Sequence, residues 1–283
     1  MPEVETVVRQ LAPVLQGRTI DGLEIFDPRW CAPQTTADLE QGLVGHQIAQ
    51  LTRRGKYKIW RFSSGIHLVT HLRMTGAFLF AEGEGFEQQP AHARARFVFA
   101  GGGELFYVDP RRFGTATLFD SSESVDSYLS ERLGPEPLSD QFDGQVLHAL
   151  TRGKKTAIKA FLLDQRQVAG VGNIYADEAL FRARLHPRRA AGSLKLVQSS
   201  ALADAVKVSL EAGIDASGAT IDDFQHVDGA RGSYQYSFLV HRREGEPCPN
   251  CGTTVEKLVV AGRGTYVCKR CQPAPRSSSA KKR

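Results

Sequence analysis

The sequence lacks a hydrophobic run long enough to cross a membrane. Such a span needs about 18 apolar residues without charge, and none of the 283 residues belong to one. A signal peptide is also absent, because the first residues, MPEVETVVRQL, are acidic where a signal peptide is basic and then apolar. These absences predict a cytoplasmic protein with no membrane partner, in which cysteine thiols stay reduced.

A strong charge of either sign and an internal repeat are lacking as well. Thirty-six Lys and Arg face 31 Asp and Glu, which gives a net charge of +5 and a pI near 9.0. This moderate excess permits a polyanionic partner without requiring one. With 41% hydrophobic residues, the chain is long enough for two compact domains and a small appendage.

Cysteine is scarce, but four of the five cysteines form two CxxC pairs separated by sixteen residues: Cys248, Cys251, Cys268 and Cys271. This spacing predicts one tetrahedral Zn²⁺ site, and we prefer it to disulfides because nothing indicates secretion. Four thiolates leave no position for water, so the zinc is expected to be structural. The fifth, Cys31, is expected to be a small buried hydrophobe.

Lys257 and Arg263 lie between the two cysteine pairs, on the predicted hairpin. Cations on a rigid zinc-bound scaffold are suited to contact phosphates. The alternative is a zinc staple that only holds the C-terminal region together.

The first half of the chain combines a helix with short strands. Apolar residues recur at helical spacing over 3–16, and a two-residue period then predicts an antiparallel sandwich or barrel. The predicted strands are 20–26, 46–54, 56–62, 67–74, 95–100, 103–109 and 114–119.

Helical periodicity returns after LGPEPLSD at 133–140, which has the composition of a linker. The predicted helices are 144–152, 155–165, 172–185 and 193–214, followed by a loop at 228–236 and a short strand at 238–241. The class is α+β, with domains at 1–132, 141–234 and 235–272 and a disordered basic tail at 273–283.

Pro2 and Glu3 form a candidate catalytic pair. Removal of Met1 would leave Pro2 with a terminal secondary amine, and an α-amino group has a pKa of about 8 and is partly unprotonated at neutral pH. Such an amine can attack a sugar C1′, and the resulting iminium acidifies the C2′ proton so that the 3′ phosphate can be eliminated. Glu3 could act as the acid or base. The alternative is an ordinary helix start.

Met74, Arg111 and Phe113 occur in the motifs HLRM and DPRRF. An enzyme that extrudes a base from a duplex must fill the space left behind, and Met and Phe can wedge there while Arg reaches the orphaned base. The alternative is two core residues and a surface cation.

Lys56 and His71 lie at predicted strand ends and could hold phosphate oxygens. The stretch VAGVGNIYADE at 168–178 begins a helix whose N-terminus could seat another phosphate. It is not a dinucleotide fingerprint, because its glycines are spaced GxGN and no strand precedes them. The glycines could also serve only to turn the chain.

Together these motifs closely resemble the formamidopyrimidine-DNA glycosylase family over residues 2 to about 272. The matching motifs are PEVET, RRGKY, HLRMTG, DPRRFGT, LGPEPLS, KTAIKAFLLDQ, VAGVGNIYADEALFRA and GEPCPNCGTTVEKLVVAGRGTYVCKRCQ. The resemblance implies an N-terminal helix with a β-sandwich, a helix-two-turn-helix domain and a zinc finger, with DNA bound in the cleft between them.

The resemblance also implies roles for single residues. Pro2 as nucleophile and Glu3 as acid would form the catalytic site with Lys56 and Arg263, and the segment 219–236 would fold over an everted 8-oxoguanine. The expected DNA-binding residues are His71, Met74, Arg111, Phe113, Lys159 (near the lesion pocket), Asn173, His241 and Lys257. His241 stands in VHRR, where relatives commonly have Val-Tyr-Gly-Arg. The trio Met74, Arg111 and Phe113 favours the purine-lesion branch over the endonuclease VIII branch.

One departure concerns the start of the chain. The family usually begins Met-Pro-Glu-Leu-Pro-Glu-Val-Glu-Thr, whereas this sequence reads MPEVET, three residues shorter. Pro2 and Glu3 are therefore either the catalytic pair on a shortened lead or the counterpart of the second Pro-Glu. Three residues correspond to about 4.5 Å along a helix, which decides whether the amine reaches the sugar.

The predicted activity is that of a bifunctional DNA glycosylase and abasic-site lyase of base excision repair. By resemblance it excises oxidised purines through a proline Schiff base and cleaves the strand by β- and δ-elimination. The expected partner is double-stranded DNA with oxidised bases, bound by a monomer in the bacterial nucleoid. The alternatives are an oxidised-pyrimidine glycosylase, a non-catalytic damaged-DNA binding protein and an RNA-associated zinc protein.

Overall fold

The computed structural model describes residues 1–220, 227 and 231–275. They divide between two compact units, one of Met1–Arg132 with Gly213–Gln235 and one of Leu133–Ala212 with Tyr236–Arg283. Parts of the predicted lesion loop (221–226 and 228–230) and of the predicted tail (276–283) lie outside the described residues. Among the helices that the structure describes, none combines the length and apolarity that crossing a membrane requires.

The described residues of Met1–Arg132 in unit 1 form three α-helices and eight strands. The helices are α1 (Pro2–Leu15), α2 (Thr36–Leu43) and α3 (Ser122–Ser130). The strands are β1 (Ile20–Ile25), β2 (Ile48–Arg54), β3 (Tyr57–Phe62), β4 (His67–His71), β5 (Ala77–Ala81), β6 (Ala93–Phe99), β7 (Glu104–Val108) and β8 (Thr115–Phe119). They form two antiparallel sheets with the strand orders β1-β6-β7-β5 and β2-β3-β4-β8.

The two sheets bury a shared aromatic core, which confirms the predicted sandwich. The ring of Trp60 on β3 stacks on Phe97 of β6 at 5.9 Å between centroids and meets Phe78 of β5 at 5.5 Å. Strand β6 alternates buried and half-buried residues along its length, as expected for a strand with one face on a core. Helix α1 buries Val7, Leu11 and Leu15 through its helical period.

Three elements of unit 1 were not predicted. Strand β5, AFLFA, is apolar throughout and therefore has no alternation to detect. Helix α2 begins at a capping box in which Thr35 and Asp38 exchange hydrogen bonds, a signal that the sequence does carry. Helix α3 likewise follows Ser121, whose hydroxyl accepts from the N–H of Ser124.

Unit 2 contains the predicted helices and the cysteine hairpin. Its helices are α4 (Gly144–Thr151), α5 (Ile158–Leu163), α6 (Asn173–Arg182) and α7 (Leu196–Asp215), the last of which ends in the segment assigned to unit 1. The hairpin consists of β9 (Glu256–Val260) and β10 (Arg263–Val267), which pair antiparallel. Helix α6 packs against both α5 and β10, so one helix carries the base of the hairpin.

The strand predicted at 238–241 is wrong. The carboxylate of Glu178, on α6, accepts hydrogen bonds from the N–H groups of Leu239 (2.9 Å), Val240 (3.0 Å) and His241 (2.9 Å). Successive N–H groups of a strand point in opposite directions, so three cannot converge on one carboxylate. The buried acid therefore imposes a turn on an apolar run.

Candidate functional site

The start of α1 buries the terminal amine of the chain. Met1 is 2% exposed, and its amine lies 3.5 Å from Oε2 of Glu3. Burial lowers the pKa of this amine to about 5; Glu3 opposes that shift, and the charges of Lys56 and Arg53 add to it. The amine is therefore uncharged at neutral pH, whereas the nitrogen of Pro2 is an amide as long as Met1 precedes it.

Lys56, in the turn between β2 and β3, and His71, at the end of β4, both lie close enough to that amine for their charges to interact with it. Lys56 is half-buried and follows Gly55, whose φ of +60° turns the chain between β2 and β3. His71 ends β4 opposite Tyr57, with 4.6 Å between the two ring centroids. Glu3 and Lys56 thus act electrostatically on the amine of Met1, and this amine acts on His71, while the catalytic and phosphate-binding roles of these residues stay predictions.

The imidazole of His71 is neutral. Burial lowers its pKa to about 2, and the charges of Arg73, Lys58, Lys56 and the terminal amine act in the same direction. Its Nδ1 accepts a hydrogen bond of 2.9 Å from the N–H of Arg73, which leaves the ring proton on Nε2. His71 can therefore donate a hydrogen bond through Nε2 without carrying charge.

Met74 and Phe113 are exposed at the tips of two loops. Their exposed fractions are 57% and 52%, which excludes the alternative that they are core residues. The guanidinium of Arg111 lies 4.9 Å from the centre of the Phe113 ring. The loops adjoin each other, since the Oγ1 of Thr75 accepts from the N–H of Arg111 at 3.3 Å.

Unit 2 buries two of the predicted DNA-binding residues. The amine of Lys159 is fully buried, 2.7 Å from Oδ1 of Asp177, and donates to the carbonyl of Gly264 at 3.0 Å. It also donates to Oγ1 of Thr265 at 2.7 Å. Nδ1 of His241 lies 2.8 Å from Oδ2 of the same Asp177. The predicted DNA contacts of Lys159 and His241 stay predictions, while their observed partners lie inside the unit.

Asn173, Lys257 and Arg263 lie at or near the same hairpin. Nδ2 of Asn173, at the start of α6, donates to the carbonyl of Gly264 at 3.0 Å. Arg263 precedes Gly264 and is exposed, and Lys257 is exposed on the paired strand. The hairpin backbone at Gly264 is therefore anchored from α5 and α6, while its cations face solvent.

The structure brings together the four cysteines predicted to bind zinc. Their Sγ atoms all lie within 4.8 Å of one another, with 3.8 Å between Cys248 and Cys271 and 3.5 Å between Cys251 and Cys268. A tetrahedral site with Zn–S bonds of about 2.3 Å needs sulfur separations of about 3.8 Å. The geometry fits one zinc ion, whereas Cys31 is buried elsewhere, as predicted.

Sequence reasoning missed three acids that organise these residues. Asp109 lies between the two exposed loops, Asp177 joins Lys159 to His241, and Glu178 holds the turn at 239–241. All three are at most 1% exposed. The adjacent acids in the middle of an otherwise apolar helix were a usable signal, because buried carboxylates need partners.

Three family models match the chain. They are the formamidopyrimidine-DNA glycosylase N-terminal domain at residues 1–116, the formamidopyrimidine-DNA glycosylase H2TH domain at 133–225, and a zinc finger found in FPG and IleRS at 245–274. The third match covers all four cysteines of the cluster.

Curated relatives match over nearly the whole chain. The formamidopyrimidine-DNA glycosylase of Gluconobacter oxydans is 40% identical over 276 residues, covering 96% of this chain and 99% of the relative. That of Magnetococcus marinus is 41% identical over 279 residues, covering 97% and 99%.

Solved structures match equally well. A complex between Lactococcus lactis Fpg and DNA containing an abasic site superposes with a TM-score of 0.90 at 34% identity, covering 97% of this chain and 99% of the other. A structure of MutM in complex with DNA containing carbocyclic 8-oxo-G gives a TM-score of 0.89 at 34% identity, with the same coverage.

Proposed function

The chain belongs to the formamidopyrimidine-DNA glycosylase family, and from that premise we propose that Pro2, once Met1 is removed, is the nucleophile that excises oxidised purines from DNA. The protein is a DNA glycosylase of base excision repair, and abasic-site lyase activity is typical of its family. The substrates we propose are 8-oxoguanine and formamidopyrimidines in duplex DNA, processed by a monomer in the bacterial cytoplasm at the nucleoid.

The observation that carries this proposal is the buried amine beside Glu3. An amine held uncharged at neutral pH is a nucleophile, and a carboxyl group 3.5 Å away can exchange protons with the reacting groups. Removal of Met1 makes the nitrogen of Pro2 the terminal amine on the same helix. The experiment below tests this nitrogen as the attacking group.

The reaction we propose starts with attack of the Pro2 nitrogen on C1′ of the damaged nucleotide. The bond from C1′ to the base breaks as the base leaves with a proton, and the new C1′ ammonium group loses its N–H proton. The bond from C1′ to the ring oxygen O4′ then breaks, O4′ takes up a proton, and the nitrogen lone pair completes an iminium ion. Loss of the C2′ proton then drives out the 3′ phosphate, and a second elimination releases the 5′ phosphate. Glu3 supplies the proton to the leaving base and accepts one in the elimination.

We assign phosphate recognition to donor groups of both units. In unit 1 the phosphate donors are Lys56 and the Nε2–H of His71. The imidazole of His71 is neutral, so it can donate a hydrogen bond to a phosphate without repelling the nearby cations. Asn173, Lys257 and Arg263 serve unit 2. We assign to Met74, Arg111 and Phe113 the filling of the space that the extruded nucleotide leaves.

The zinc ion is structural. Four thiolates complete its tetrahedron and leave no position for water or substrate, so it takes no part in the bond-breaking steps. Its effect is to hold the hairpin that carries Lys257 and Arg263.

We also propose the domain boundaries that the sequence indicates, namely 1–132, a linker at 133–140, 141–234 and a finger at 235–272. The break between Arg132 and Leu133 supports the first boundary. Residues Gly213–Gln235 group with unit 1 in the structure, whereas the proposed boundaries assign 213–234 to the helical domain.

Borohydride reduction during turnover of a duplex with 8-oxoguanine opposite cytosine tests the nucleophile. We expect a covalent protein-DNA adduct, and mass spectrometry of its N-terminal peptide should locate the DNA on Pro2 with Met1 absent. Pro2→Gly should lose most of the trapped adduct, whereas Pro13→Ala, inside the same helix, should retain it. An adduct on a lysine side chain, or none with correctly processed protein, would remove Pro2 from this role.

A further inference from the structure

The two exposed loops of unit 1 are held by a single buried carboxylate. Asp109 is fully buried, and its Oδ1 accepts hydrogen bonds from the Thr75 hydroxyl and from the N–H of Arg111 at 3.2 Å. Its Oδ2 accepts from the N–H of Phe113 at 2.9 Å and of Gly114 at 2.8 Å. One side chain thus binds the backbone on both sides of Phe113 and the residue that follows Met74.

Tyr107 completes this arrangement. Its hydroxyl donates to Oδ2 of Asp109 at 3.1 Å and lies against a glycine from each loop. A Cβ atom on Gly114 would lie 1.6 Å from the Tyr107 oxygen, and one on Gly76 would lie 2.5 Å from it. Both loops therefore approach the same hydroxyl so closely that only glycine fits.

The backbone of both loops needs such support. Arg73 has a φ of +56° and Arg112 a φ of +59°, backbone conformations that residues other than glycine rarely adopt. Each of these residues directly precedes an exposed apolar side chain, Met74 or Phe113. Because those side chains face solvent, packing does not hold them. The hydrogen bonds to Asp109 join the two loops, and the N–H of Arg73 is held separately by Nδ1 of His71.

The hydrogen bonds to Asp109 require an ionised carboxylate. Burial alone would raise the pKa of Asp109, but hydrogen bonds from Thr75, Gly114, Tyr107 and Phe113 outweigh burial and hold the pKa below its usual value. A carboxylate accepts at both oxygens, whereas an amide of the same shape accepts at one and presents N–H groups at the other. Asp109→Asn therefore keeps the volume and breaks half of the contacts.

We propose that Asp109 is a positioning residue for base extrusion, which holds Met74, Arg111 and Phe113 in one preorganised arrangement so that they enter the duplex as a unit. This inference rests on the proposed function of those three residues. It adds that their geometry is set from inside the sandwich by Asp109, Thr75 and Tyr107, none of which needs to touch DNA.

The test compares excision with a reaction that needs no base extrusion. Asp109→Asn should lower the single-turnover rate of 8-oxoguanine excision from duplex DNA about a hundredfold, the scale of a misplacement of roughly 1 Å. Borohydride trapping on a single-stranded abasic oligonucleotide, which has no base to extrude, should stay at the wild-type level. Equal loss in both reactions would show general damage to the fold and overturn the inference.

Two further comparisons keep the inference open to refutation if Asp109→Asn folds poorly. Thr75→Ala should slow excision, and Thr75→Ser should restore it, because serine keeps the hydroxyl. In a Met74→Ala, Arg111→Ala and Phe113→Ala background, Asp109→Asn should cause no additional loss, since the side chains it positions are gone. Equal rates for the two Thr75 variants, or a full additional loss in that background, would contradict the role.

Failure of the proposed function would be seen separately. If the wild-type protein excises no base, a duplex with a tetrahydrofuran abasic analogue beside 2-aminopurine still reports insertion by a rise in fluorescence. Asp109→Asn must then reduce that rise for the inference to stand. A wild-type protein that gives no rise would refute both the void-filling role and the positioning role.

Discussion

The Nζ of Lys159 lies 2.7 Å from Oδ1 of Asp177, and neither side chain is exposed to solvent. The same amine donates to Gly264 and Thr265, residues that follow Arg263 on the hairpin. The pKa of Lys159 is lowered, because burial and the charge of Arg263 outweigh the opposing effect of Asp177. The pair therefore joins α5, α6 and the hairpin through one buried charge contact.

Lys159→Met should destabilise unit 2 and weaken DNA cleavage. The substitution leaves Asp177 without its lysine in a buried site, which typically costs about 3–5 kcal/mol. Urea unfolding should report the loss of stability, and strand cleavage should fall because Gly264, next to Arg263, loses a donor. Arg166→Met is the matched control, because Arg166 is 74% exposed and 3.7 Å from Asp164. Comparable destabilisation by both variants would contradict the importance of the buried pair.

Lys58→Met should stabilise the protein below about pH 7. Lys58 is fully buried, and its Nζ lies 5.1 Å from the centre of the Phe78 ring without a hydrogen-bond partner among the described residues. Burial lowers its pKa from 10.5 to about 7, a difference equivalent to roughly 5 kcal/mol. Methionine fits an apolar core and needs no proton exchange.

The pH dependence follows from the sign of that shift. The unfolded chain binds the lysine proton up to a pH near 10.5 and the folded chain only up to about 7, so wild-type stability should rise between these values. Below about pH 7 the charged amine is buried at full cost, and above pH 10.5 the cost vanishes. Denaturant titrations at several pH values should show the full rise in wild type and in exposed Lys195→Met, and a clearly smaller rise in Lys58→Met. A parallel rise in Lys58→Met would exclude this lysine as its origin.

Removal of zinc should weaken DNA binding without abolishing the fold of unit 1. Cys268→Ser removes one of four ligands, and metal binding at such sites contributes directly to folding of the small finger. Atomic absorption should find one zinc per wild-type chain and a reduced amount in the variant. Cys31→Ser, which changes the buried cysteine outside the cluster, should keep the zinc. Unchanged DNA affinity after loss of zinc would contradict a role of the finger in DNA binding and leave it only a structural role.

Arg111→Ala should reduce the preference for cytosine opposite the lesion. Arg111 is exposed over the Phe113 ring, and a specific pair of hydrogen bonds to a base contributes about 1–3 kcal/mol, or roughly fivefold to 150-fold in rate. Excision rates with cytosine and adenine opposite 8-oxoguanine measure the effect. Arg112→Ala is the control, since the Nε of Arg112 lies 3.7 Å from Asp27. Equal loss of selectivity in both variants would assign the effect to charge alone.

Local patterns predicted much of the fold. The zinc site followed from two CxxC pairs, because ligands that lie close in sequence must also lie close in space. Helix α1 followed from its apolar period, and seven strands of the sandwich from their short β-rich runs. Strand β5 was not predicted because its sequence does not alternate between apolar and polar residues. The segment at 238–241 was wrongly predicted as a strand, because the carboxylate that turns its apolar residues lies 61 to 63 positions earlier in the chain.

In the candidate site, too, some residues were predicted from the sequence and others were not. Pro2, Glu3, Lys56 and His71 were predicted from chemistry and resemblance, and the last three interact electrostatically with the terminal amine. Lys58 gave no such signal, since a lysine in a strand is ordinarily read as solvent-facing. Its position on β3 turns it toward Phe78 instead, which only the packing of the two sheets reveals.

The amino-acid sequence alone determined the family, the metal ligands, most of the helices and strands, and the identity of the exposed loop residues, because these depend on neighbours in the chain. Tertiary structure decided which charges are buried and what holds them. Asp109 meets Thr75 across 34 positions, and Lys159 meets Thr265 across 106. Hydrogen bonding and desolvation act over a few ångströms of space, so their outcome is set by folding and has no counterpart in the spacing of residues.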